Sequence, residues 1–270
     1  MQYVNYKCLK VDINKNVAFI TIDNPPINLF DMALMLEVDR VGKEIESDDN
    51  VKVIVFQSAD PEFFIAHADV KLIQAFSADS SPTPESLQFF SKLLDRFRTM
   101  PKVSIAKIEG RAKGGGSEFV LALDMKFAAI GKAVLAQPEL AMGIIPGGGG
   151  TQRLPKLVGR GRACEIIFGC GDFDAEQAER YGYINRALPP DEIGAFVENL
   201  AYRIASFPAE TIKLAKKAIN ISYLPIEKGL IEESQLFNQS AAVPEARRRM
   251  ETFLKHGGQT REVELKLSIL

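Results

Sequence analysis

Two glutamates and a run of glycines are the residues of this chain whose types and spacing suit chemistry. Residues 113–118 read Lys-Gly-Gly-Gly-Ser-Glu, the apolar run Phe119–Leu123 follows them, and a second carboxylate stands at Glu139. The apolar run predicts a helix, so the glycines bring backbone N–H groups without helical partners to its N-terminus. Because the helix dipole is positive at that end, a developing oxyanion next to Gly115 would be stabilised without a cationic side chain.

The spacing also places Glu118 near this anion site. Glu118 follows Gly115 by three residues, which sets it about one turn further along the same helix face. Glu118 could instead be a solvated residue of that face, and Glu139, which follows Pro138, could instead be a carboxylate favoured by the start of a helix. The residue pattern taken alone leaves both interpretations open.

The composition bounds the class of protein. The chain has 270 residues, of which 46% are hydrophobic and 25% are charged, proportions typical of a globular protein able to bury a substantial core. Its net charge of −2 gives no overall basic surface, so nucleic acid is a poor candidate partner. No run reaches the roughly 18 apolar residues of a spanning helix, and the first residues lack the apolar segment of a signal peptide. We therefore expect an unexported, cytoplasmic protein without a membrane segment.

The cysteines and histidines give no support to a metal site or a disulfide framework. There are three cysteines with no paired-ligand spacing, and the two histidines, His67 and His256, lie far apart in sequence. This pattern favours reduced thiols. We expect no metal ion in the protein.

Strand and helix signals alternate through the first two thirds of the chain. Val17–Asp23, Val51–Phe56 and Val103–Ile108 are β-rich runs, and the helical stripe of Met32–Ser47 follows a candidate N-cap at Asp31. The alternation predicts an α/β layered fold. We expect loops over residues 58–68 and 77–84, a helix over 85–100, and short strands over 126–130 and 133–136.

Helical patterns dominate from residue 160 onward. The predicted helices cover residues 160–168, 175–181, 191–206, 209–219, 226–239 and 244–255. A helical C-terminal region of this kind either caps the sheet core or packs on another subunit. The sequence does not decide between these alternatives.

Three stretches in register resemble the crotonase, or enoyl-CoA hydratase/isomerase, superfamily. Residues 64–70 read Phe-Ile-Ala-His-Ala-Asp-Val, residues 109–118 hold the glycine run, and residues 137–155 begin with Gln-Pro-Glu and contain four consecutive glycines. Each piece alone is weak, but their order and spacing together are specific. Weaker similarity extends from about Val17 to Ala218.

The resemblance implies a fold, an assembly and a ligand. The fold is a spiral of repeated ββα units, expected over residues 1–200, with a C-terminal helical oligomerisation region over residues 201–270. The assembly is a homotrimer, often doubled to a hexamer. The ligand is an acyl-CoA thioester, in which coenzyme A is part of the substrate, so no separate cofactor is expected.

The resemblance also implies the site residues. By position, the family's oxyanion hole falls on the backbone N–H groups of Ala68 and Gly115, and its two catalytic glutamates fall on Glu118 and Glu139. Glu118 is expected to orient and deprotonate water, and Glu139 to transfer a proton with Cα of the thioester. The expected substrate-binding residues are Ala66, His67, Asp69 and Gly114.

Two residues depart from the family pattern. His67 stands where the family usually has glycine, and it either packs away from the site or takes part in substrate selection, since the glutamates already fill the acid and base roles. Lys113 replaces a small or apolar residue, and its ammonium is either solvated or paired with an acid.

The glycine run Gly147–Gly150 lacks the Lys-Ser/Thr ending of a phosphate-binding loop, so we expect a tight turn before a helix at Thr151.

These features predict hydration of 2-enoyl-CoA thioesters to 3-hydroxyacyl-CoA through a backbone oxyanion hole and two glutamates. An enoyl-CoA isomerase is the alternative, because isomerases of the family work with a carboxylate matching Glu139 alone. A third reading is an acyl-CoA-binding member of the fold that has lost catalysis.

Overall fold

A computed structural model describes residues 3–77, 89–256 and 259–260 of the chain. The described strands are β1 (Leu9–Asn14), β2 (Val17–Ile22), β3 (Val53–Ser58), β4 (Phe63–Ile65), β5 (Val103–Ile108), β6 (Arg111–Lys113), β7 (Met125–Ala129), β8 (Val134–Ala136), β9 (Phe173–Asp174) and β10 (Arg186–Leu188). The described α-helices are α1 (Met32–Glu46), α2 (Val70–Ser77), α3 (Phe89–Thr99), α4 (Gly115–Ala122), α5 (Gly150–Val158), α6 (Arg160–Gly169), α7 (Ala175–Tyr181), α8 (Ile193–Ala205), α9 (Ala209–Asn220), α10 (Ile226–Ala242) and α11 (Pro244–Lys255). Short 3₁₀ helices occupy Glu139–Met142 and Ile221–Tyr223.

The strands form two sheets that the chain visits alternately. The larger sheet has the order β1-β2-β3-β5-β7-β10 and the smaller has the order β4-β6-β8-β9. β3, β5 and β7 each enter the larger sheet and are followed by β4, β6 and β8 in the smaller one, and a helix then returns the chain. Neighbouring strands in these three repeats pair in parallel. The result is three successive ββα units wound in one direction.

The central strands of the larger sheet are buried on both faces. Alternate residues of its strands, such as Ile54 and Phe56, point into one apolar cluster with α1, α3 and α4. The intervening residues, such as Val53 and Val55, point into a second cluster covered by α8. This explains why the first four residues of β3, Val53–Phe56, are all apolar, since a parallel strand covered on both sides has no solvent face.

Most predicted elements are present with shifted ends. Asp31 caps α1 as expected, its side chain accepting from the Leu34 N–H at 2.9 Å. The expected loop over residues 58–68 contains β4, and β6 directly precedes the glycines. These strands have three residues each, too few for an alternating pattern to be read. The predicted 77–84 loop and the start of the predicted 85–100 helix lie outside the described residues.

The chain divides into two compact units, Met1–Ala205 and Ser206–Leu270. The first holds both sheets. In the second, the described residues form α9, α10 and α11, as the helical pattern of the last third predicted. None of the helices within the described ranges combines the length and apolar character that crossing a bilayer requires.

Candidate active site

The peptide between His67 and Ala68 is oriented by a backbone bridge to Phe30. The Phe30 N–H donates to the His67 carbonyl at 2.9 Å, and the Asp69 N–H donates to the Phe30 carbonyl at 3.2 Å. In a planar trans peptide the N–H points opposite to the C=O. The Ala68 N–H therefore points away from Phe30, and no hydrogen-bond acceptor for it is found among the described residues.

Gly114 and Gly115 bring a second backbone amide to the same place. Gly114 adopts a φ of 50°, its N–H donates to the Ala136 carbonyl at 3.0 Å, and its carbonyl accepts from the Glu118 N–H at 2.9 Å. The helix α4 thus begins at Gly115, whose N–H belongs to the unpaired first turn. A Cβ placed on Gly115 would lie 3.2 Å from the Ala68 nitrogen. The two amides are neighbours.

Glu118 is buried in the first turn of α4 and is held by the second glycine run. Its Oε1 accepts from the Gly148 N–H at 2.7 Å and from the Gly150 N–H at 2.8 Å. Arg153 fixes the same loop, because its Nη1 donates to the Gly148 carbonyl at 2.7 Å while its Nη2 lies 3.7 Å from Asp95 Oδ1. Glu118 is therefore an anchored carboxylate and not a solvated residue of the helix face.

Glu139 is the first residue of a 3₁₀ helix and is also buried, with 6% of its surface exposed. Its carboxyl lies beside the glycines, since a Cβ placed on Gly114 would be 3.1 Å from Glu139 Oε1. The side-chain amide of Gln137 also faces this carboxyl. A carboxylate offers only acceptors, so the amide nitrogen of Gln137 turns to it and lies 3.2 Å from both oxygens.

Burial sets the protonation of both carboxyls. It raises the pKa of Glu118 to about 7, an effect that the Glu139 charge adds to and that the Gly150 and Gly148 amides and Arg153 oppose. Burial likewise raises the pKa of Glu139 above its ordinary value. Two neighbouring acids with raised pKa values favour states in which one carboxyl is ionised and the other holds a proton.

The other predicted site residues lie around the two amides. Ala66 is buried and its carbonyl accepts from the Lys113 N–H at 3.3 Å. His67 is half-buried, its Nδ1 lies 2.9 Å from the Ala68 carbonyl oxygen, and its Cβ would be 3.7 Å from a Cβ on Gly114. Asp69 turns to α2, where its side chain accepts from the Lys71 N–H at 2.9 Å.

Lys113 takes the paired alternative. Its ammonium lies 2.6 Å from Asp172 Oδ1, next to β9. The Lys113 ammonium is therefore paired with an acid, which was one of the two alternatives left open by the sequence.

Helix α4 rests on a group of phenylalanine rings. Phe119 packs edge-on against Phe30, Phe56 and Phe97, with ring centroids 5.8, 4.9 and 5.7 Å away. All eight residues of α4 are buried. The backbone that carries Gly115 and Glu118 is therefore built into the core.

Several residues of the site were missed from the sequence. The glycine run was predicted only as a turn, and a tight turn does precede α5, with Gly149 at a φ of 108°. Its amides also bind Glu118, which the run's spacing gave no way to infer. The roles of Gln137 and Arg153 next to the two glutamates were not predicted either. Among the described residues, no three His, Cys, Asp or Glu side chains group as a metal site would require.

Comparison with known proteins finds similarity to enoyl-CoA hydratases along nearly the whole chain. The family model described as enoyl-CoA hydratase/isomerase matches residues 12–260. A short-chain-enoyl-CoA hydratase of Clostridium acetobutylicum is 32% identical over 88% of this chain and 91% of its own. A crotonyl-CoA hydratase of Syntrophomonas wolfei is 29% identical over 93% of this chain and 96% of its own.

Solved structures agree in fold. An enoyl-CoA hydratase structure from Geobacillus kaustophilus superposes with a TM-score of 0.87 at 28% identity, covering 94% of this chain and 96% of that one. One from Bacillus anthracis gives a TM-score of 0.84 at 28% identity, covering 93% and 97%. The predicted crotonase-type spiral of ββα units is confirmed. The chain belongs to the enoyl-CoA hydratase/isomerase family of the crotonase superfamily.

Proposed function

We propose that this protein is an enzyme that adds water to 2-enoyl-CoA thioesters and forms 3-hydroxyacyl-CoA. The observation that carries the proposal is the meeting of two buried glutamates, Glu118 and Glu139, with two neighbouring backbone amides, those of Ala68 and Gly115. The relatives named as short-chain-enoyl-CoA and crotonyl-CoA hydratases support the same reaction.

The chemistry follows from the polarity of the thioester. The Ala68 and Gly115 amides bind the thioester oxygen and stabilise the negative charge that develops there, an effect of roughly 3–4 kcal/mol per donor. Glu118 removes a proton from water as the water oxygen bonds to Cβ, and the electron pair of the double bond moves toward the thioester oxygen. Glu139 delivers a proton to Cα as the enolate collapses. The product gains the elements of one water, and the protein is left with Glu118 protonated and Glu139 ionised. One proton must leave Glu118 and one must return to Glu139, by exchange with solvent, before the next turnover.

The surroundings of the site suit substrate contact. In this proposal Ala66, His67, Asp69 and Gly114 line the thioester end of the ligand. His67 brings the largest side chain of the four, and its Nδ1 contact with the Ala68 carbonyl keeps the ring close to the amide pair.

The test uses crotonyl-CoA and a longer 2-enoyl-CoA with the purified protein. Absorbance of the conjugated thioester should decay with the wild type, and the decay should be lost in Glu118→Gln and in Glu139→Gln. Glu109→Gln is the matched control, because Glu109 pairs with Lys107 at 2.8 Å outside the site; its rate should equal that of the wild type.

Other outcomes identify the alternatives. Turnover restricted to a 3-enoyl-CoA, surviving Glu118→Gln and lost in Glu139→Gln, would assign the protein as an isomerase. Binding of the thioesters without turnover would assign it as a non-catalytic member. The anchoring of Glu118 by two amides favours hydration, because an isomerase needs no second fixed carboxylate.

We also propose that the protein assembles as a homotrimer or hexamer through its C-terminal unit. Large apolar side chains are exposed along α9, α10 and the segment between them, namely Ile219, Tyr223, Leu224, Ile226, Leu230, Ile231 and Phe237. Exposed apolar surface of this extent is typical of subunit contacts. Light scattering during size-exclusion chromatography should give about three or six times the chain mass of 29.8 kDa, and a monomer or dimer mass would contradict the proposal.

A further inference from the structure

A buried hydroxyl pair lies behind the two glutamates. Ser117 is the residue before Glu118 on α4, and Tyr183 follows α7; both are fully buried, with their oxygens in hydrogen-bond contact. The Schellman-type end of α7 places Tyr183 there, because Gly182 takes a φ of 77° and the Tyr183 N–H returns to the Ala178 carbonyl at 2.8 Å. Two hydroxyls in an apolar core are costly unless they are bonded.

The pair is joined to Glu139 through Gln137. With the Gln137 nitrogen facing the Glu139 carboxyl, the amide oxygen of Gln137 accepts from Ser117 Oγ at 3.0 Å. Ser117 has one hydroxyl proton, so a serine that donates to Gln137 must accept from the Tyr183 hydroxyl. Burial raises the pKa of Tyr183 far above its ordinary value, which keeps the phenol protonated and able to donate.

The chain of hydrogen bonds therefore has one direction. Tyr183 donates to Ser117, Ser117 donates to Gln137, and Gln137 donates to both oxygens of Glu139. A chain whose members are all satisfied and polarised the same way is stiffer than its separate bonds. Its last donor fixes the plane of the Glu139 carboxyl and favours its ionised form.

Removing the hydroxyls would free the amide. The Gln137 amide has two orientations, one with its nitrogen and one with its oxygen toward Glu139. A hydroxyl that donates to the amide oxygen favours the first orientation. Without that donor the amide can flip, and its oxygen would then face a carboxylate oxygen. Among the described residues, the titratable groups near the Glu139 carboxyl are Glu118 on α4, Tyr183 after α7 and His67, which lies beside Gly114 as Glu139 does. None of them replaces the lost donor to the carboxylate. Glu118 brings like charge, Tyr183 contacts Ser117 and Gln137 rather than the carboxyl, and the His67 Nδ1 lies against the Ala68 carbonyl.

We propose that Ser117 and Tyr183 are positioning residues that lock the Gln137 amide and thereby hold Glu139 in the geometry for proton transfer at Cα. The role rests on the proposed function, because it acts on the carboxyl that would move the proton. In this role Ser117 and Tyr183 contact neither the substrate nor the reacting atoms.

The test is the rate and pH profile of Tyr183→Phe, Ser117→Ala and the double variant with crotonyl-CoA. The double variant, which leaves no hydroxyl to donate to Gln137, should lower kcat about 5- to 20-fold with KM changed less than about 2-fold. The alkaline limb of the kcat profile, where Glu139 loses its proton, should move to higher pH. Each single variant should lose less than the double one, because the remaining hydroxyl can still donate to the Gln137 oxygen.

Tyr181→Phe is the matched control. Tyr181 also packs on Phe173, but its hydroxyl donates to Glu165 at 2.8 Å, away from the chain. The Tyr181→Phe variant should have the wild-type kcat and the wild-type limbs of the pH profile. A wild-type kcat and unshifted pH limbs in the double variant would overturn the positioning role, as would a loss of kcat that the Tyr181→Phe control shares. If the double variant does not fold, Ser117→Ala decides, because it removes the hydroxyl assigned as the donor to Gln137; an unchanged kcat and unshifted limbs would then overturn the positioning role. A wild type that turns over no enoyl-CoA would overturn the proposed function itself and the positioning role with it.

Discussion

The α-carbon of Gly115 faces the backbone of Ala68 with no space between them for a side chain. A Cβ at position 115 would lie 2.8 Å from the Ala68 Cβ and 3.2 Å from the Ala68 nitrogen. The closeness of the two residues is what brings two amides from separate ββα units to one point. Any side chain at 115 must push the two segments apart.

Gly115→Ala is therefore expected to lower kcat about 100-fold, the loss typical when one oxyanion donor is removed. The added methyl group displaces the Ala68 amide while both glutamates remain. Steady-state kinetics with crotonyl-CoA measures the effect. Gly161→Ala is the control, because a Cβ there meets nothing within 4 Å, and it should keep the wild-type rate. A Gly115→Ala enzyme of normal kcat would contradict the pairing of the amides.

Arg153→Lys should lower kcat by about 10- to 100-fold, since small displacements of a catalytic group have effects of this size. Lysine lacks the planar guanidinium that spans the Gly148 carbonyl and Asp95, so the loop that anchors Glu118 loosens. Arg160→Lys, at the exposed start of α6, is the matched control. Equal kinetics in the two variants would show that Arg153 does not support Glu118.

The pH–rate profile of kcat should be bell-shaped. Hydration needs one carboxyl ionised and the other protonated, so the rate rises as the first of the pair ionises and falls as the second does. Burial raises the pKa of both glutamates above the ordinary value of 4.5, and that of Glu118 to about 7. Both limbs should lie above pH 4.5 in rates measured across roughly pH 4 to 9. A limb at or below the ordinary value would contradict the buried environment.

Glu118→Gln should stabilise the protein at high pH while it abolishes hydration. The folded pKa of Glu118 is about 7 against an ordinary 4.5, so the folded state binds more protons between these values and stability falls as pH rises through them. Glutamine removes this loss. The gain in unfolding free energy over wild type should be roughly 2 kcal/mol larger near pH 8 than near pH 5.

Urea unfolding at the two pH values measures this difference. Glu109→Gln, the control outside the site, should show no pH-dependent gain. A Glu118→Gln gain that is the same at both pH values would mean that the carboxyl is not a buried, destabilising charge in the folded protein.

How much the sequence predicted depends on how local the signal is. The glycine run, the start of α4 and the position of Glu118 are contiguous, so the helix terminus could be read directly. The Gly148 and Gly150 amides reach Glu118 from 30 and 32 residues away, and no periodicity reports such a contact. Tyr183 likewise lies between the predicted helices 175–181 and 191–206, and nothing local shows that its hydroxyl meets Ser117.

The packing of Phe119 also limits how new acyl specificities could evolve in this scaffold. Its ring is wedged among three others directly beside Glu118, so a substitution that shifts the carboxylate would also disturb the interior. Libraries built to accept new acyl groups should diversify the connecting loops and leave position 119 unchanged.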